Sequence, residues 1–157
     1  MSRDTTRFAL DTAVNKLASY VSPVRDARLD RFTELVVSLA VTAAEGSRTY
    51  DFYVITGDGA SEWDLVHFPQ IAAAGAIRFT ARISALQIPQ AITAAAPGVA
   101  TVAPSIINTA TTNAPKTLGA GVVAHGPWGN QVRYELVVGG GALTTGITYT
   151  LQIQARE

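Results

Sequence analysis

Imidazole, the side chain suited to proton transfer and metal ligation near neutral pH, occurs in this chain only at His67 and His125. A metal site wants converging His or carboxylate ligands at a recognisable spacing, and neither histidine has one nearby in sequence. Carboxylates gather in Asp58-Gly59-Ala60-Ser61-Glu62-Trp63-Asp64. This loop lacks the alternation of a calcium loop and its closing bidentate Glu, and nothing in its spacing suits a glycosidase pair. It reads as a solvated turn, with Asp58-Gly59 supplying the dihedrals. Ser61 does not fit the G-x-S-x-G nucleophile elbow, and Gly139-Gly140-Gly141 precedes a strand, where a phosphate cradle would precede a helix. With no cysteine there is neither a disulfide nor a thiolate metal site. The sequence therefore points to no catalytic residue, no metal and no cofactor. The aromatics Trp63, Phe68, Trp128 and Tyr134 could form a stacking platform for a sugar, with Trp63, Trp128 and the Asp58 loop as the alternative site of a carbohydrate-binding module. Trp128, on the turn Pro127-Trp128-Gly129, is the side chain best placed to tuck over a sandwich end or insert into a partner.

The elements holding these residues are mostly strands. From Phe32 onward apolar residues alternate: Leu35, Val37, Leu39 and Val41; Tyr50, Phe52 and Val54; Ile77, Phe79, Ala81 and Ile83; Val132, Tyr134, Leu136 and Val138; and Ile147, Tyr149, Leu151, Ile153 and Ala155. Turn clusters at Ala44-Glu45-Gly46-Ser47 and Gly57 to Ser61 read as hairpin connections. A short strand is expected from Trp63 to Phe68 and a Gly-bearing one from Leu118 to Ala124. Seven or eight short antiparallel strands predict a mainly β fold, an antiparallel β-sandwich of jelly-roll-like topology. In the charged front segment Phe8, Ala9, Ala13, Val14, Leu17, Ala18 and Val21 fall at spacings of three and four. That pattern predicts an α-helix from Thr5 to Tyr20, stopped by Ser22-Pro23. The expected organisation is a helix and connector over 1–31 and a β-sandwich domain over 32–157.

One stretch stands apart. Between Leu86 and Asn130 the only formally charged residue is Lys116. Pro89, Pro97, Pro104 and Pro115 deny it a helix, and its apolar content is too high for a solvated linker. Ordering each residue costs roughly 1 kcal/mol, so each must remove about 40 Å² of apolar area from water to break even. Small side chains reach that only when walled in. The predicted extended arm, at about 86–117, is thus expected to be covered by a partner or by other protomers. The residues expected to carry the contact are Phe8, Val14 and Leu17 on the helix, Ile88, Ile92, Val99, Val102, Ile106 and Ile107 on the arm, and Trp128.

Bulk composition narrows the partners. The chain of 157 residues is 48% hydrophobic and 15% charged with zero formal net charge, so it lacks the basic excess that nucleic acid or a polybasic membrane anchor needs. No run of apolar residues is long enough for a membrane helix, and no signal-peptide pattern opens the chain; a soluble, intracellularly made protein is expected. A small Cys-free β-sandwich with an N-terminal helical or extended segment and a long uncharged Ala/Thr/Pro arm resembles structural proteins of tailed-bacteriophage particles. It is most similar to capsid decoration, or cement, proteins. The resemblance implies a virion location after assembly in the host cytoplasm, and the major capsid protein or other virion proteins as partners. It also implies a homo-oligomer, trimer or dimer. It spans the chain in architecture and composition and carries over no residue motif. Minor tail and head-completion proteins share the same traits.

Overall fold

The computed structural model describes residues 5–84, 93–94, 105–107, 115–124 and 128–157, with backbone alone described at 93–94 and 105–107. These form two sheets. Sheet A has the order β1 (Thr5–Lys16), β12 (Ile147–Arg156), β4 (Glu34–Ala44), β7 (Ile77–Ser84) and β8 (Thr93–Ala94). Sheet B runs β2 (Tyr20–Val21), β11 (Gln131–Gly139), β5 (Thr49–Gly57), β6 (Glu62–His67), β10 (Val122–Ala124) and β9 (Ser105–Ile107), with β3 (Arg25–Asp26) also on β11. Every pairing is antiparallel except β9 with β10. Among the described residues the only helical element is the 3₁₀ turn Leu29–Arg31.

The inner faces of the two sheets meet in one core. Leu35, Val37 and Leu39 of β4, Phe79, Ala81 and Ile83 of β7, and Ile147, Tyr149, Leu151, Ile153 and Ala155 of β12 come from sheet A. Sheet B supplies Tyr50, Phe52, Val54, Val66, Val132, Tyr134 and Leu136. These are the alternating positions, and each large side chain taken out of water stabilises by about 1.5–3 kcal/mol. Rings interlock across the gap: Phe52 meets Tyr149 edge-on at 4.8 Å, and Tyr134 meets Tyr149 at 6.0 Å. The phenol hydroxyls of Tyr134 and Tyr149 are 2.7 Å apart, and Tyr134 donates to Asp11 of β1. Burial first, then Asp11 and Tyr149, raises the Tyr134 hydroxyl pKa; burial also raises that of Tyr149.

Two expectations are corrected. The segment from Thr5 is a strand: β1 pairs with β12 from Thr5↔Arg156 to Lys16↔Ile147. Thr6, Phe8 and Leu10 alternate inward, after which the register slips between Ala9 and Val14, with Ala13 at φ 49°. Two slips, one on each side of Asp11, turn Asp11 inward and then return Val14 to the core side, and this interrupted alternation mimics helical spacing. Residues 5–31 thus give strands to both sheets, and Arg25 of β3 donates to the Ala9 and Leu10 carbonyls at 2.8 and 2.9 Å. The second correction concerns β4 and β5. The turn between them carries the chain from sheet A to sheet B, so they arch over the core and are not a hairpin. Gly139-Gly140-Gly141 makes a similar crossing between β11 and β12, with Gly140 and Gly141 at φ 89° and 104°.

Candidate functional site

Outward-facing residues of sheet B should be wet, yet several are buried. Register places Ile55 beside Arg133 and Asp64, and Tyr53 beside Glu135 and His67, all on the face away from the core. Asp64, His67, Glu135 and Arg133 are nonetheless 3, 4, 6 and 9% exposed. The chain returning from the uncharged arm, residues 115–124, is bonded onto this face. Leu118, Val122 and Ala124 form a small apolar cluster of their own there.

The anchor begins with backbone geometry. Lys116 adopts φ 61°, a left-handed conformation that turns successive N–H groups to one side and forms an anion nest. Asp64 of β6 fills it, accepting from the N–H groups of Lys116, Thr117 and Leu118 at 2.7, 2.6 and 2.9 Å. A buried carboxylate is tolerable only when bonded in this way. Beside it, the Arg133 guanidinium grips Glu62 through two bonds of 2.8 and 2.7 Å and reaches Glu135 at 2.6 Å. The Lys116 ammonium completes the network on Glu135 at 2.9 Å. Arg133 holds the Glu62 carboxyl below its usual range. Burial pushes Glu135 up, but Arg133 and Lys116 outweigh it and its pKa also ends low. The guanidinium is held charged, chiefly by Glu62. Further along, His67 Nδ1 lies 2.7 Å from the Leu118 carbonyl and Nε2 lies 3.1 Å from Asp51. Each of these polar groups is engaged within the chain, so the cluster works as a clamp on residues 116–118.

The residues singled out from sequence are scattered. Phe8 is half-buried against Phe32, with ring centroids 6.2 Å apart, and Val14 packs on the core edge. Leu17 is exposed. Ile106 and Ile107 lie in β9, in register with Val123 and Ala124 of β10. Ile88, Ile92, Val99, Val102, His125 and most of the arm lie outside the described residues. Trp128 belongs to the core, its indole N–H donating to the Leu29 carbonyl. Gly129 beside it touches the Gly57 carbonyl so closely that a Cβ would not fit. The Asp58 loop is an Asx turn in which Asp58 accepts from the Ala60 and Ser61 N–H groups, which lowers its carboxyl pKa. A cleft of about 530 Å³ beside it is lined by Val24, Gly59, Ala60, Ser61, Glu62, Pro115 and Gln131. It holds no aromatic ring among the described residues, and its one carboxylate, Glu62, is committed to Arg133.

Among the described residues no group of three or more His, Asp or Glu side chains is placed to hold a metal, and no helix is long and apolar enough to cross a membrane. The clamp itself could not be found by motif, because Asp64 binds backbone N–H groups 52 to 54 residues away. The only sequence signal was an acidic residue, Asp64, in a strand otherwise expected to pack. No protein-family model, curated protein or solved structure matches the chain.

Proposed function

We propose that this protein is a non-enzymatic virion structural protein, a decoration or cement protein that stabilises an assembled phage head by clamping neighbouring subunits of the major capsid protein. One observation carries the reading: the segment after β7 is nearly charge-free, its described pieces β8 and β9 sit at the outer edges of the two sheets, and it rejoins the sandwich through a dedicated polar clamp, Asp64 on residues 116–118. Firm anchorage limits the ordering entropy that the arm loses on contact, which raises the affinity of whatever surface it covers. A jelly roll is the finer topology this reading adopts. The order β1-β12-β4-β7 facing β2/β3-β11-β5-β6 supports it, because two interleaved Greek keys give that arrangement. A homo-oligomer, trimer or dimer, would multiply the contact through effective concentration, and binding only to the assembled shell stabilises it by mass action. A tail or head-completion role is the neighbouring reading. The carbohydrate-binding alternative is weakened by the inward-turned Trp128 and by a cleft whose described lining residues include no ring.

Co-sedimentation with expanded heads, against unassembled capsid subunits and a glycan array, tests the proposal. Val99→Asp should weaken head binding tenfold or more while the sandwich stays folded, since an unpaired buried carboxylate costs several kcal/mol. Binding to a glycan, or equal head binding by Val99→Asp and wild type, would overturn it.

A further inference from the structure

We infer that the His67–Asp51 pair is a proton-dependent clasp on the arm's return segment, closed when the pair holds one proton more than a neutral imidazole plus a carboxylate, and opened when that proton leaves. Both ring nitrogens of His67 face oxygen. The Leu118 carbonyl, 2.7 Å from Nδ1, can only accept, so Nδ1 carries hydrogen. A neutral ring would then aim the Nε2 lone pair at Asp51 Oδ1, 3.1 Å away. That contact needs a second proton, on Nε2 as an imidazolium or on Asp51 as a carboxylic acid. The other Asp51 oxygen accepts from Gln70 Nε2 at 2.8 Å, so Gln70 does not supply it.

The surroundings make the clasp local and exclusive. His67 is buried and stacks on Tyr53 with centroids 3.9 Å apart, so the ring has little room to turn away. The charged groups around it are Asp51 on β5, Asp64 on its own strand, and Glu135 and Arg133 on β11, with Lys116 on the return segment. Of these Asp64 is filled by N–H groups, while Glu135, Arg133 and Lys116 neutralise one another with Glu62. Tyr53 faces the ring as a neutral phenol, its pKa raised by burial and then by Asp51, Asp64 and Glu135. Once the proton leaves, two lone pairs oppose each other on one side of the ring. Either the Leu118 carbonyl or Asp51 must separate from the ring. The one hydrogen left on the ring is drawn to Nε2 by the Asp51 carboxylate, the stronger acceptor, so the Nδ1 lone pair faces the Leu118 carbonyl and that contact is the one to part. The Asp64 nest still holds the N–H groups of residues 116–118, so loosening falls on the stretch from the Leu118 carbonyl to Ala124, where the Gly121 N–H bonds the His67 carbonyl at 2.9 Å. This inference concerns the chain alone, so its failure would leave the shell-binding proposal untouched, and the reverse.

The test is hydrogen exchange of residues 118–124, corrected for intrinsic rates, from about pH 5 to about pH 9. Wild-type protection should fall on the order of tenfold or more as pH rises, the worth of one charge-assisted bond. Asp51→Asn should abolish the dependence. The substituted side-chain amide can take the Gln70 N–H on its oxygen and donate its own N–H to a neutral Nε2, which keeps the clasp closed throughout. Flat wild-type protection, or an equal slope in Asp51→Asn, overturns the inference. Ring-nitrogen and carboxyl NMR of the wild type decides without a variant. A pair that carries its extra proton at the acid end and loses it where protection falls supports the clasp; one N–H and an ionised Asp51 across the range refutes it.

Discussion

Asp64→Asn removes one charge and almost no volume, and so probes the clamp that joins the arm to the sandwich. The native carboxylate accepts three backbone N–H bonds of 2.6 to 2.9 Å in a site only 3% exposed. Lys116 N–H bonds one oxygen, and Thr117 and Leu118 N–H bond the other. The Asn oxygen can keep one of these sets, while its NH₂ must point at the donors of the other. Bonds to a charged acceptor contribute about 1.5–3 kcal/mol each, and a buried unpaired donor costs a similar amount. Non-additivity brings the expected loss to about 3 kcal/mol, or roughly two orders of magnitude in local opening. Native-state hydrogen exchange should show that loss at 116–124, read at Leu118 and at the Gly121 N–H bonded to His67, with β4 and β12 changing far less. Unchanged protection at 116–124 would mean that the nest does not hold the arm. An equal loss in every strand would mean that the clamp is part of the global core.

Three further outcomes are expected. Raised folded pKa values at Tyr134 and Tyr149, against the ordinary 10.0, keep both phenols protonated in the fold, so their contribution is complete below pH 10 and declines above it. Denaturant titrations should show the decline, at about 1.4 kcal/mol per pH unit for each phenol, and a double Phe variant should lack it. Glu62 and Glu135 have the opposite sign: lowered pKa values give stability that is present above the ordinary 4.5 and lost as pH falls through the folded values. Arg133→Met should therefore cost about 3 kcal/mol near neutrality and flatten the acid limb of melting temperature against pH. Ala13→Gly should stabilise by about 0.5–1 kcal/mol, since a side chain at φ 49° is strained; a lower melting temperature would show that the bulge needs the methyl group.

The legible strands are those whose period never breaks. In β12 the five inward positions, Ile147 through Ala155, are completely buried, as strict alternation requires. Alternation says which face a residue takes but not which sheet its strand joins. A Gly-containing turn such as Ala44 to Ser47 closes a hairpin or an arch with equal ease, so sequence alone pairs β4 and β5 wrongly. The first strand fails for another reason: a bulge at Ala13 breaks the period, and the broken period resembles a helix. Resemblance to a jelly roll comes from strand number and turns, which many sandwiches share. The clamp is hidden because its chemistry is side chain to backbone over long separations. Arg133 and Glu135 read as ordinary solvent-facing positions of an alternating strand, and only the returning segment makes them interior.

Sheet A places β12 between β1 and β4, so among the described residues the earliest strand finds its only neighbour in the latest. During synthesis on the ribosome, β1 and β4 are made well before β12, and each lacks the ladder that β12 will supply. A nascent chain stalled before Ile147 would hold sheet A with a gap through its middle, its backbone groups wet and its apolar stripes bare. Such long-range closure makes folding slow and leaves strand edges open to neighbouring chains while it waits.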